Sequence, residues 1–398
     1  MGKWQTLFLT GLAVLLSLMT WFSATAVLPD LTMVHDLTAG QAAWLTNAVQ
    51  LGFAVGALSA SILAVADIWP LTRYMATAAV LACFANLLLL IDLGATGAIV
   101  ARFVTGIALA GVYPSAMKFI ATWFKTGRGL AMGAMVGALT LGSAMPHFVR
   151  GTGGTVSWEV VVLVCSLGSA AAAVLFGWVL REGPHAFART RVDLRQVGQI
   201  LRNKPVMLAN LGYFGHMWEL YAMWGWFLAY AGYAATEGIG LTNASLLTFA
   251  VIAAGAPGCL LGGWLADRIG RCRTTILMMG VSGASALLIG LFFGGPLWVF
   301  ILIALVWGFT VVADSAQFSA AVSELSEPHL VGSSLTFQMG VGFTITILAI
   351  WLTPLVAAWL GSWQWTFVML APGPLIGAVA MHLLYRHPRS VLMANGQR

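Results

Sequence analysis

Three ionisable residues, Arg102, Glu219 and Asp314, lie inside long apolar segments of this 398-residue chain. Burying such a group at the centre of a bilayer costs at least about 2.5 to 3.5 kcal/mol, so each one needs a partner, water or a function. Desolvation favours the neutral form of a carboxyl group, whereas a nearby arginine favours the charged form. Glu219 is therefore a candidate proton carrier. The alternative is a static ion pair between one of the carboxylates and Arg102.

Other residues able to do chemistry share helix faces with these carboxylates. Residues on either side of Glu219 recur at helical spacing: Tyr213, His216, Met223 and Trp226. Those around Asp314 do the same: Trp307, Thr310 and Gln317. The predicted pathway for solute and protons comprises Arg102, Glu219, Asp314, His216, Tyr213, Gln317, Trp307 and Thr310.

His216 lies one turn before Glu219 and is a candidate proton relay, because an unperturbed imidazole has a pKa of about 6.5. A hydrogen-bonded histidine that serves only packing is the alternative, and His147 and His382 are weaker candidates. An aromatic face at helical spacing also usually serves packing. The embedded acids are what favour contact with a solute.

Composition identifies the solvent around these residues. Charged residues make up 8% of the chain and hydrophobic ones 60%, against about 25% and 45 to 50% in soluble domains. That leaves too little polar surface for a water-soluble globule, so the exterior must face lipid. The basic residues form no tract and the four cysteines have no metal spacing, which argues against nucleic-acid, zinc and disulfide roles. No cofactor, metal or enzymatic constellation is expected.

The apolar segments predict an all-α membrane protein, because about twenty residues of helix cross the hydrocarbon core. We count twelve spans, near residues 6 to 28, 42 to 65, 71 to 91, 95 to 119, 128 to 149, 157 to 180, 205 to 231, 242 to 265, 274 to 294, 296 to 320, 330 to 352 and 363 to 385. The first is too long for an ordinary signal peptide and is expected to be retained. The chain divides into a half over 1–180, a linker over 181–204 and a half over 205–398.

Basic residues predict the orientation. If the linker is cytoplasmic, then all of the 19 lysines and arginines except Arg102 and Arg150 fall on that side or at its border. This bias places both termini in the cytoplasm. We expect a monomer in a bacterial inner membrane.

Two loops share one sequence pattern, an aspartate six residues before an arginine. Asp67 precedes Arg73 in the first half, and Asp267 precedes Arg273 in the second. This repetition indicates one helical unit built twice. At the start of a following helix an aspartate gains about 0.3 to 1 kcal/mol from the helix dipole.

These features resemble the major facilitator superfamily over the whole chain. The family's loop motif is matched by Gly263, Asp267, Arg268, Gly270 and Arg271, with Cys272 replacing a basic residue before Arg273, and its span-four motif by Arg102 and Gly106. The first loop keeps Asp67 and Arg73 but has Ile68, Trp69 and Pro70 in place of the motif.

The resemblance implies a central cavity lined by spans one, four, seven and ten, on which all three buried charges lie. It also implies a cytoplasmic gate in which Asp67 meets span eleven near Ser333 and Asp267 meets span five near Gly129 while that side is shut. The predicted gate comprises Asp67, Arg73, Gly263, Asp267, Arg268, Gly270, Arg271 and Arg273.

We therefore predict a secondary transporter that moves a small solute by alternating access and is coupled to protons. No ATP-binding motif is present. Arg102 favours an organic or inorganic anion, but the two acids also permit a neutral or cationic solute. The alternatives are a uniporter or exchanger without proton coupling, and a sensor that binds without transport.

Overall fold

The computed structural model describes residues 1–63, 65–124, 128–152, 156–185 and 196–398. In this part of the chain all regular structure is helical. Ten helices are long and apolar enough to cross a membrane. The remaining two predicted spans are a first span that is broken into short pieces and a seventh rich in polar and aromatic residues. The predicted twelve-span membrane fold is confirmed.

Six spans form the first half. Span one is divided into Lys3–Leu18, Ser23–Ala26 and Leu28–Val34. Spans two to six are Ala39–Ile62, Leu71–Leu87, Gly94–Ala121, Arg128–Thr152 and Trp158–Val174. A short helix, Val65–Ile68, connects spans two and three. Thr38 begins span two with a capping box, in which its hydroxyl accepts from the Gln41 backbone.

The second half repeats this order after a linker helix, Val197–Arg202. Spans seven, nine and eleven are Lys204–Thr236, Arg271–Leu288 and Val331–Leu360. Span eight is divided into Ala244–Ala253 and Gly255–Ile269, and span ten into Leu297–Val311 and Ser315–Leu325. Span twelve is Pro372–Arg386, preceded by the turn Thr366–Leu370.

Neighbouring helices pack most closely where one of them has a glycine. A Cβ on Gly52 of span two would lie 2.0 Å from the carbonyl oxygen of Phe103 of span four. A Cβ on Gly262 of span eight would lie 2.0 Å from the carbonyl oxygen of Ala313 of span ten. The backbones of each pair can approach this closely only because the side chain is absent. The two pairs occupy equivalent places in the two halves, as a duplicated unit requires.

The halves meet along spans two and eleven and along spans five and eight. We call the side of the bundle with the chain ends and the linker the basic face. The halves are in contact at the opposite face, where Asn243 Nδ2 donates to the carbonyl of Gly151 at 2.9 Å and the rings of Phe148 and Phe249 lie 4.9 Å apart. The bundle is therefore closed at the opposite face.

Candidate transport pathway

A cavity of about 540 Å³ lies between the halves and reaches the basic face. Its walls include the ends of spans four and eight at that face, marked by Lys118 and Asp267, and the first residue of span nine, Arg271. Aromatic and polar side chains also line it: Phe53, Tyr113, Tyr213, Tyr221, Phe343, Ser315, Gln317 and Ser319. The cavity combines apolar walls with a few polar groups, as small-molecule sites do.

An aromatic layer separates the cavity from the opposite face. The ring of Trp21 stacks on Tyr221 at 5.7 Å between centroids, and Phe53 lies 4.6 Å from Phe343. Each pair joins one residue of the first half to one of the second. Aromatic pairs bury large apolar surfaces, so this layer holds the halves together and blocks the pathway in this conformation.

The two predicted helix faces of spans seven and ten come together, with Tyr213 and Gln317 on the cavity surface and the other members behind the wall. His216 Nδ1 lies 3.0 Å from Asp314 Oδ1, and both side chains are 2% exposed. Asp314 occupies the break between the two segments of span ten, where its carbonyl accepts from the Gln317 backbone at 2.9 Å. The rings of Tyr213 and Phe318 pack against His216.

Glu219 lies in the same buried region. It accepts a hydrogen bond of 2.8 Å from Nε1 of Trp307 and is 2% exposed. Asp314 is close enough to interact with it electrostatically. Thr310 uses its hydroxyl within its own helix, on the carbonyl of Val306. Spans seven and ten thus bring two carboxyl groups and one imidazole into a dry part of the second half.

Arg102 lies elsewhere, fully buried inside the first half. Its guanidinium donates to the carbonyls of Thr20, Trp21 and Leu45 and to the side chains of Ser23 and Asn86. Among the described residues neither Glu219 nor Asp314 is within ion-pair range of it. The structure therefore places Arg102 behind the wall, at the break in span one, and not on the cavity surface predicted from the family resemblance.

The second aspartate loop lies at the mouth of the cavity. Gly270 makes the turn between spans eight and nine with a φ of +90°, a conformation that favours glycine. Arg271 donates to both carboxylate oxygens of Glu324, at 2.5 and 2.7 Å, and to Gln317 Oε1 at 2.7 Å. Gly263 and Asp267 line the cavity directly. The ion pair between Arg271 and Glu324 joins the start of span nine to the end of span ten.

The other predicted gate residues are separate from this group. The Arg268 guanidinium lies 4.1 Å from the centre of the Trp264 ring, and Arg273 donates to the hydroxyl of Tyr385 at 2.6 Å. Arg73 lines a groove with Trp69 and Pro70. The side chain of Asp67 lies outside the described residues, and so do the surroundings of Gly129, the predicted contact of Asp267 at the start of span five. Ser333 donates to Gln196 Oε1 of the linker at 2.8 Å.

Sequence reasoning missed two groups of residues. Glu324 lies near the end of span ten, one residue before Leu325, and only the folded loop shows that Arg271 reaches it. The aromatic layer of Trp21, Phe53, Tyr221 and Phe343 had no signal, because isolated aromatic residues are common in membrane helices.

Known proteins with similar sequences are transporters. The chain is 24% identical over 322 residues to a probable sulfoacetate transporter, SauU, of Cupriavidus necator, covering 73% of this chain and 72% of that protein. It is 24% identical to the niacin transporter NiaP of Acinetobacter baylyi, covering 70% and 69%. A gentisate transporter of Corynebacterium glutamicum is 26% identical over 151 residues, which is 38% of this chain and 34% of that protein.

Structure and family models agree with these matches. The fold resembles the crystal structure of a bacterial homologue of the human lysosomal transporter Spinster, in an inward-facing and unoccupied conformation. The TM-score is 0.73 at 13% identity, covering 96% of this chain and 97% of that one. The model of the Major Facilitator Superfamily matches residues 10–341 and 221–397. With this match across nearly its whole length, the chain belongs to the Major Facilitator Superfamily.

Proposed function

We propose that this membrane transporter moves a small organic anion together with protons by alternating access. The observation that carries the proposal is the presence of two cationic side chains in the cavity wall. Lys118 and Arg271 line the cavity alongside one acidic side chain, Asp267, and Arg271 also binds the carboxylate of Glu324 outside the lining. Glu219 and Asp314 are absent from its lining and do not repel an anion directly.

The size and walls of the cavity favour a compact acid. A volume of about 540 Å³ falls within the range of about 300 to 1,000 Å³ for small-molecule sites. Tyrosines and phenylalanines offer apolar faces, while Ser315, Gln317 and Ser319 offer polar atoms. The similar proteins are named as transporters of sulfoacetate, gentisate and niacin, which are all small acids. Two of these contain an aromatic ring that such walls would accommodate.

Proton coupling is supported by the buried group of Glu219, His216 and Asp314. With both acids ionised and the imidazole neutral, this dry region would hold two uncompensated negative charges, which is energetically costly. One proton on the His216 and Asp314 pair and one on Glu219 would leave it neutral overall. We infer that the group takes up protons while the pathway is open to the proton source and releases them after the cavity reorients. Cotransport of a proton would also compensate the charge of the anion.

The acids have a structural alternative. If Glu219 only anchors Trp307 and Asp314 only anchors His216, the protein would be a uniporter or exchanger of the same solute. A sensor that binds without transport is the other alternative. Counterflow in proteoliposomes separates the sensor from the carriers, because only a carrier exchanges internal for external solute.

The decisive substitution is Glu219→Gln, which keeps the shape of the side chain and removes its proton. Purified protein in proteoliposomes would be supplied with gentisate, nicotinate or sulfoacetate. An imposed proton gradient should drive accumulation by the wild type, with uptake rising as the pH on the proton-source side falls. The variant should lose gradient-driven accumulation by at least tenfold while retaining exchange, since exchange needs no net proton movement.

The matched control is Glu237→Gln, which makes the same change at an exposed glutamate at the end of span seven. It should accumulate solute like the wild type. Unchanged accumulation by Glu219→Gln would contradict proton coupling through this residue. Absence of uptake of all three acids by the wild type would contradict the proposed solute class.

A further inference from the structure

Two helix faces that line the cavity continue toward the opposite face into buried polar side chains without hydrogen-bond partners. On span two, Phe53 lines the cavity and Gln50 lies one turn further from the basic face; on span seven, Tyr221 lines it and Trp224 lies one turn further. A step of three residues corresponds to about 4.5 Å along a helix. Gln50 and Trp224 are both 0% exposed, and neither the Gln50 amide nor the Trp224 indole nitrogen has a partner.

Span five shows the same arrangement. Met132, Val136 and Leu139 line the cavity at helical spacing, and the spacing continues through Ser143 to His147. His147 lies about 12 Å beyond Leu139 along the helix. It is 0% exposed, and neither ring nitrogen has a hydrogen-bond partner. The residues that the cavity face presents beyond the aromatic layer are thus polar on three different spans.

Gln50 and Trp224 lie at or next to the boundary between the halves. Gln50 shares its helix face with Thr46 and Phe53: a Cβ on Gly225 of span seven would lie 3.5 Å from Thr46 Cγ2, and Phe53 lies against Phe343 of span eleven. The Trp224 ring packs against Phe22 of the first half at 6.1 Å. Separation of the halves at the opposite face would uncover this region.

The unpartnered groups are costly in the conformation seen here. A buried polar group without a hydrogen bond is destabilising, because it loses water and gains nothing in exchange. The Gln50 amide, the Trp224 indole and the His147 imidazole all bear this cost at once. Their positions make sense if another conformation of the transporter exposes them to water or solute.

We propose that Gln50 and Trp224 form a second solute subsite, exposed when the transporter is open to the opposite face, that binds the acceptor oxygens of an organic acid. The amide and the indole each supply an N–H donor, and a carboxylate or sulfonate is an acceptor that can use several donors. The rings of Trp21 and Phe22 flank this region and suit an apolar or aromatic body. The ligand class rests on the proposed function.

The opening itself can be tested without a solute. Cysteine would replace Gln50 in a protein whose four native cysteines, Cys83, Cys165, Cys259 and Cys272, have been changed to serine or alanine. A membrane-impermeant maleimide would be applied from each side of the membrane in turn. The Gln50→Cys variant should react from the opposite face. The control, Asn210→Cys, is also fully buried but lies near the basic-face end of span seven, and it should not react from that side. Lack of reaction at position 50 would overturn the subsite.

Ligand binding is tested by comparing the half-saturating concentration of solute added at the opposite face with that of solute added at the basic face. In right-side-out and inside-out vesicles, Gln50→Leu and Trp224→Phe should raise the half-saturating concentration of a transported acid at least tenfold from the opposite face. From the basic face the change should stay within twofold, which also shows that the variants are folded. Asn210→Leu should change neither value. Equal changes in the half-saturating concentration from both sides, or no change from either, would overturn the subsite. Failure of the wild type to transport gentisate, nicotinate and sulfoacetate would instead contradict the proposed function, and the labelling result would still stand.

Discussion

At the scale of single residues, the three buried charges have different surroundings. Glu219 accepts a hydrogen bond from Trp307 and lies beside Ser282, and Asp314 lies beside His216. Arg102 has five oxygen atoms around it, three of them backbone carbonyls of spans one and two. A group satisfied from so many sides suits a structural role, whereas a sparsely satisfied carboxyl group can exchange a proton at lower cost.

Arg102→Lys should therefore destabilise the protein without changing its solute affinity. Lysine keeps the charge but has a single nitrogen, so several acceptors around the break in span one would lose their donor. Each buried group left unpaired costs about 1 to 3 kcal/mol. Thermal unfolding in detergent should show a clear loss of stability, and solute binding to the folded fraction should stay within twofold of the wild type.

Arg202→Lys provides the comparison, since Arg202 is exposed at the end of the linker helix. Its melting temperature should match that of the wild type. A tenfold loss of affinity in Arg102→Lys with unaltered melting would instead assign Arg102 to the solute pathway.

The sequence predicted part of this arrangement. Helical spacing alone grouped His216 with Glu219 and Trp307 with Asp314, and the structure brings these two faces into contact. The surroundings of Arg102 could not be predicted, because the carbonyls of Thr20 and Trp21 become available only where span one is broken. A continuous apolar run gives no sign of such a break.

At the scale of helices, breaks and turns position the functional groups. Span ten is interrupted before Ser315, which places Asp314 at a helix end, and span eight is interrupted at Ala254. Gly270 reverses the chain between spans eight and nine and leaves Arg271 at the start of a helix facing Glu324. The family motif predicted the turn, but not the partner that the arginine finds.

Gly270→Ala should destabilise the loop between spans eight and nine. A φ of +90° is strained for any residue with a Cβ, at about 1 to 3 kcal/mol, and the added carbon would lie 2.1 Å from the carbonyl oxygen of Arg398. Gly280→Ala is the matched change in span nine, where a Cβ meets nothing within 4 Å. Thermal unfolding should show a lower melting temperature for Gly270→Ala only. Equal stability of the two variants would contradict the strain at Gly270.

At the scale of the whole molecule, the transporter is open at the basic face and closed at the opposite face. The two aspartate loops are expected to make their contacts in the other conformation, which is closed at the basic face and open at the opposite face. Asp267 lines the cavity mouth here, in the loop whose motif is more complete. Its predicted contact with the start of span five would form only after the basic face closes.

Asp267→Asn should therefore shift the population toward the conformation open at the basic face more than Asp67→Asn does. The interaction of an aspartate with a helix start, about 0.3 to 1 kcal/mol, corresponds to a shift of about twofold to fivefold. The measurement is the labelling rate of a single cysteine introduced at Ala121, which lines the cavity near the basic face. Equal rates in the two variants would contradict an unequal gate.

The glycine contacts have a mechanical consequence for the whole molecule. Within each half the backbones are so close that an added Cβ would lie 2.0 Å from a carbonyl oxygen. Between the halves, a Cβ on Gly133 of span five would make a tight contact of 3.3 Å with the carbonyl oxygen of Cys259 of span eight, and one on Gly137 an ordinary contact of 3.5 Å with that of Ala256. The contact of Gly137 with span eight can therefore accept a Cβ, whereas the contacts of Gly52 and Gly262 within each half cannot, and lineages of this protein should accept alanine at position 137 before positions 52 and 262.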